Sequence, residues 1–168
     1  TGITTNQHSF TPEDLELEFS TTPENTEIKL VNGDLKADGR MKCGYTTLFT
    51  SIEKVAAMYG SIIDGNGRYN LKAFESVLPK IDLHLECGKN NILHNYFAFN
   101  GINTESMNLD MTVSPTKGLD INGEIHKFSN SEIELENLKI TTLQNGEILN
   151  YSVALDNISF ISFEEENS

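Results

Sequence analysis

A chain of 168 residues fits one domain and is long enough to bury a core without disulfide or metal staples. With 25 acidic residues against 12 basic, its net charge is −13, which argues against holding nucleic acid through a basic patch or docking on anionic membranes. It contains no apolar run of about 18 residues, the length a membrane-spanning helix needs.

The opening stretch TGITTNQHSF is polar and carries no secretory signal. Residues 1–13 lack periodicity and read as an N-terminal arm; a start at Thr1 rather than Met suggests a processed or trimmed terminus. From Asp14 the pattern turns β. DLELEFS (14–20) puts Leu15, Leu17 and Phe19 on one face and acids on the other. After the turn TTPEN, residues 26–45 read as strands broken at Asn32-Gly33 and Asp38-Gly39, both hairpin dipeptides.

The period then changes. TSIEKVAAMYG (50–60) opens with Thr50 and Glu53 at capping-box spacing, ends on Gly60, and places Ile52, Val55, Ala56 and Tyr59 on one helical face. A second short helix is expected over 71–78, stopping before Pro79. Beyond Pro79 the chain reads almost wholly β. KIDLHLEC alternates, and NILHNYFAFNG is expected as a further strand. Met107, Leu109, Met111 and Val113 share a face, and Leu119, Ile121 and Ile125 share another. A phase slip at Asn137, between Ile133/Leu135 and Leu138/Ile140, predicts a β-bulge. Residues 148–163 read as one long strand or a bent pair. The expected architecture is mainly β: an antiparallel sandwich or barrel over 14–163, a two-helix insertion at about 50–78, and an acidic tail at 164–168.

The stretch IIDGNGRYNLKAFE (62–75) resembles a calcium loop and was tested by register. With Asp64 in the first ligand position, Asn66, Leu71 and Glu75 fit, but Arg68 falls among the ligands and Tyr69 takes the glycine position. With Asp64 in the third position, Asn66 and Gly67 fit, but Ile62 and Ala73 replace essential acids. Asp64, Asn66 and Glu75 are therefore rejected as metal ligands, and the stretch reads as an interhelical turn with Asn70 capping the second helix.

Asp82, His84 and Glu86 line one face of a strand, opposite Ile81, Leu83, Leu85 and Cys87. Side chains of one strand point in parallel, so without partners from another strand they make a polar face rather than a metal site. His8, His84, His94 and His126 are scattered, no nucleophile elbow or phosphate loop occurs, and no constellation nominates a catalytic residue or cofactor. Cys87 reads as a buried apolar residue, and a Cys43–Cys87 disulfide is open if the protein is exported. Asn150-Tyr-Ser152 and Asn157-Ile-Ser159 match the N-glycosylation pattern, as chance also allows in a chain rich in Asn and Ser.

Residues 96–128 resemble a region of phage tail-tube proteins and of the related type VI secretion tube proteins. The resemblance rests on a strand ending in Phe-x-Gly at Phe99 and Gly101, an alternating strand carrying Ser106 and Leu109, a turn, and a strand with Gly123 near its middle. It implies a β-barrel or sandwich with a helix on its side, subunits that form rings around a lumen, and no catalytic residues. Two functions follow as expectations. One is a non-enzymatic, self-associating subunit of a tube, filament or virion-type particle. The other is an exported or surface β-sandwich that binds a protein, glycan or lipid.

Overall fold

Two-residue alternation of apolar and polar side chains can bury only one face of a strand, and the strands of this chain share that pattern over most of their length. The computed structural model describes residues 3–4, 9–10, 14–58 and 77–160. In it, β1 (Ile3–Thr4) and β2 (Ser9–Phe10) pair with each other. The main sheet begins with β3 (Glu16–Thr21), β4 (Thr26–Asn32) and β5 (Leu35–Met41), followed by helix α1 (Tyr45–Met58). It continues with β6 (Ile81–Cys87), helix α2 (Ile92–Phe99), β7 (Ser106–Ser114) and β8 (Gly118–His126). Then come β9 (Phe128–Ser129), β10 (Ile133–Glu136), β11 (Leu138–Asn145), β12 (Ile148–Ala154) and β13 (Asn157–Phe160).

The domain is mainly β and antiparallel with helices between strands, as the alternation implies. Eight strands form one sheet in the order β12-β11-β8-β7-β6-β5-β4-β3, so β12 and β3 are its open edges and the sheet does not close into a barrel. Every neighbouring pair is antiparallel. A second, three-stranded sheet in the order β13-β10-β9 continues the outer strands past a kink. Lys127 and Asn137 sit at that kink with left-handed φ of 48° and 49°. The phase slip expected at Asn137 is thus a real break in the ladder, and residues 148–160 form the bent pair β12 and β13.

Three local expectations are corrected. Asp38-Gly39 is not a turn but lies inside β5, because Leu83 Cδ2 and Met41 Cε pack over Gly39 where a side chain would otherwise stand. Residues 92–99 are helical, not a strand. Asn91 caps that helix by accepting from His94 N, and Gly101, at φ 73°, lets Ile102 N donate back to the Phe97 carbonyl and Gly101 N to Ala98. Helix α1 starts at Tyr45, five residues before the expected capping box, and Thr50 is an interior residue whose hydroxyl donates to the Thr46 carbonyl. The hydroxyl that meets the first turn belongs to Thr21 on β3, which accepts from Tyr45 N. Leu48 and Ser51 are buried and Val55 is half-buried, while Ile52 and Ala56, expected on the apolar face, are exposed. Residues 59–76, with Tyr59, the calcium-like stretch and most of the second expected helix, lie outside the described residues.

The pairing of Cys43 with Cys87, which the sequence left open, is answered by the register. Met41 pairs with Ile81, which places Cys43 beyond the end of the β5–β6 ladder opposite to Cys87. The run from Ile81 to Cys87 spans about 20 Å at about 3.4 Å per residue, whereas bridged Cα atoms lie within about 7 Å. Both cysteines are free and buried, and burial is the main cause that pushes each thiol pKa upward.

Among the described residues the hydrophobic core is small: Met41, Cys43 and Leu48 cluster together, flanked by Ile28, Ile81 and Leu83, and Leu35 and Cys87 are buried apart from them. Thr26 is fully buried beside it and donates to the Cys43 carbonyl at 2.9 Å. Replacing Thr26 with valine keeps the volume but strands that carbonyl. We expect a loss of about 1–3 kcal/mol in urea unfolding, and a neutral result would show that the carbonyl finds another donor.

Candidate functional site

The register sorts the eight-stranded sheet into two chemically opposite faces. One cross-strand row reads Glu18, Lys29, Asp38, His84, Asp110, Asn122, Thr141 and Ser152, one residue from each strand from β3 to β12. The next row on the other face reads Leu17, Leu30, Ala37, Leu85, Leu109, Gly123, Ile140 and Val153. A second apolar row contains Phe19, Ile28, Gly39, Leu83, Met111, Ile121, Thr142 and Tyr151.

On the polar face, Asp82 and His84 gain partners from the neighbouring strands. A shallow cleft of about 340 Å³ is lined by Asp38 and Arg40 from β5, Asp82, Leu83 and His84 from β6, and Asp110, Met111 and Thr112 from β7. His84 Nδ1 lies 2.7 Å from Asp110 Oδ1, and the Thr112 hydroxyl donates to Asp82 Oδ1 at 3.0 Å. The Lys80 ammonium, 2.9 Å from Asp82, is the main cause that holds this carboxyl below its ordinary range; burial pulls the other way and Thr112 adds to the lowering. Glu86, the third residue of the expected face, points the same way but lies outside the cleft lining. The cleft holds a His–Asp pair with no serine or cysteine beside it, and no aromatic ring on which a sugar could stack. Among the described residues no three His, Cys, Asp or Glu side chains converge on a metal position. Asp64, Asn66 and Glu75 lie outside the described residues.

On the opposite face the packing is thin. Helix α1 covers one corner through Leu48, and α2 buries none of its own residues. Leu17 is 65% exposed, Phe19 54% and Val153 61%. Leu109 on β7 and Ile140 on β11 are exposed as well. Alternation predicted which residues would share this face; that the described residues leave part of it uncovered emerges only once the strands are laid side by side.

Helix α2 is fixed at the far end of the sheet by a polar knot. Asp34 accepts from Asn90 N and from the Asn91 side chain, Ile92 N donates to Asn32 Oδ1 at 2.7 Å, and Asp34 N donates to the Asn90 carbonyl at 3.3 Å. Burial pushes the Asp34 carboxyl up, but the Asn91 side chain and the backbone N–H groups of Asn90, Gly88 and Lys89 outweigh it and hold the carboxyl below its ordinary range. No sequence signal joined Asn32-Gly33-Asp34 to Asn91, since the link is made by tertiary contact alone.

Compared with known proteins, the chain matches no family model, no curated protein and no solved structure. Among the described residues no helix is long and apolar enough to cross a membrane.

Proposed function

We propose that this protein works by assembly, as a self-associating structural subunit whose apolar sheet face is covered by a second copy of the chain. The observation that carries the reading is the apolar face of the eight-stranded sheet, half-buried over β4, β5, β6 and β8 but open to water at Leu17 and Phe19 on β3, Leu109 on β7, Ile140 on β11 and Val153 on β12. Exposed apolar patches beyond a few hundred Å² mark interaction surfaces. Eight strands at about 4.8 Å spacing and about 23 Å of strand length make a face of about 800 Å². That outline is of the scale one partner contributes to a standard interface. The face also carries no charge in a chain of net −13, so it is where two like-charged copies meet with least repulsion. Face-to-face stacking of two such sheets would complete a sandwich between chains. The resemblance to tube proteins loses its first strand, since Phe99 ends a helix, but its two following strands, with Ser106, Leu109 and Gly123, are present and favour the same kind of work, a subunit of a tube, filament or particle.

Sedimentation velocity across a hundredfold range of concentration tests this. Wild-type protein should associate, and the double substitution Phe19→Asp/Ile140→Asp should lower its assembly state while circular dichroism shows the fold retained. A wild-type chain that stays monomeric at the highest concentration would remove the reading.

A further inference from the structure

The two edges of the main sheet are chemically unlike. Strand β3 presents Glu16 and Glu18, with Asp14 just before it. Natural edge strands are blunted in this way, by charged side chains that discourage another strand from adding on. Strand β12, with the sequence ILNYSVA, has no such protection. It spans seven residues without a charge, a proline or a glycine. Its ladder to β11 runs unbroken from Ile148 opposite Asn145 to Ala154 opposite Lys139, so no bulge twists it away. All seven residues are exposed. Beyond the kink, β13 continues the edge with four more uncharged residues.

We propose that β12 pairs with β12 of a second copy, antiparallel about a two-fold axis perpendicular to the sheet. The backbone groups on the outer side of β12 supply the hydrogen bonds, as in strand addition generally. Charge selects the partner. Copies of a chain at −13 repel each other, and this edge is a neutral seam through which they can approach. Pairing β3 with β3 would set glutamates against glutamates, which opposes it. An interface that uses the one unblunted edge on both sides is isologous and closed, leaving the acidic β3 edges at the two ends. The axis keeps both apolar faces on the same side, so the joined pair presents one continuous apolar face sixteen strands wide, following from eight in each copy.

This inference deepens the assembly reading and rests on it, but the two contacts separate by mutation. Asn150 and Ser152 lie on β12 and point to the polar face, away from the apolar surface. The wild-type chain should form species larger than a dimer. Asn150→Lys/Ser152→Lys should reduce these to dimers joined by their faces, and Asn150→Glu/Ser152→Glu should do the same. Phe19→Asp/Ile140→Asp should leave dimers joined by their edges. An equimolar mixture of the Lys and Glu edge variants should recover the larger species, because a two-fold β12–β12 contact sets Lys against Glu. If the edge variants associate like wild type, the edge is not an interface and the face reading stands alone. If each edge variant loses association but the mixture does not regain it, β12 meets something other than β12 and the proposed symmetry is wrong.

Discussion

Gly33→Ala is expected to lower stability by about 3–4 kcal/mol, a large share of the roughly 5–15 kcal/mol available to a domain of this size. Gly33 holds φ of 60° in the β4–β5 turn, a conformation that costs an L-residue about 1–2 kcal/mol. The remainder comes from space. A Cβ there would overlap the carbonyl oxygen of Asn90, which is backbone and accepts from Asp34 N. Relief requires the 88–91 segment to move, and with it the bonds from Asn90 N and Asn91 to Asp34 and from Ile92 N to Asn32, so α2 loses its anchor. Gly146 supplies the control. It has φ of 63° in the β11–β12 turn, with nothing near its missing side chain. Gly146→Ala should therefore cost only the conformational part, about 1–2 kcal/mol. Urea unfolding of both variants at one fixed protein concentration separates the two contributions. Equal losses would mean that the contact with Asn90 is not what sets the position of α2.

The same turn shows where sequence reasoning succeeds and where it stops. Asn32-Gly33 was legible as a turn because positive φ and strand alternation are local properties. Asp38-Gly39 carries a similar dipeptide signal, yet it lies within a strand because Leu83, from forty-odd residues further on, packs over the glycine. The faces of β6, β7 and β8 were legible because a period of two leaves one assignment of inside and outside. Helix α2 was not, since ILHNYFAF is apolar enough to satisfy either period; the decisive signals were Asn91 before it and Gly101 after it. The start of α1 was hidden because the hydroxyl meeting it comes from Thr21 on another strand. For the polar cleft, Asp82 and His84 were readable as neighbours, but Asp110, Thr112, Asp38 and Arg40 needed the cross-strand register. Least legible was the exposure of the apolar face. Alternation marks a face as apolar without saying whether the chain itself covers it, and covering depends on where the helices land.

Self-association of this chain should tighten as salt rises and as pH falls from 7 toward 5, while the fold loses a modest part of its stability below about pH 3.8. At neutral pH each copy carries −13, so bringing two together costs repulsion that opposes apolar burial. Raising salt from about 0.1 to about 1 M shortens the screening length from about 10 to about 3 Å. We expect the dissociation constant to fall about tenfold or more over that range, and tenfold corresponds to about 1.4 kcal/mol. Lowering the pH toward the isoelectric point near 4.6 removes the same repulsion by protonating carboxylates, so it acts in the same direction. The fold responds oppositely. Asp34 and Asp82 are held below the ordinary aspartate value of 3.8, so the stability they contribute is present above that value. It is lost as pH falls through their lower folded values, which frees the Asn91–Asp34 and Lys80–Asp82 contacts. Both carboxylates are partly screened by water, so this loss is modest beside the charge effect. Sedimentation equilibrium over a grid of salt and pH measures the association, and circular dichroism at each pH marks where the fold fails. An interface built on ion pairs would weaken with added salt, so that outcome would place the contact on the charged face of the sheet and refute burial of the apolar one.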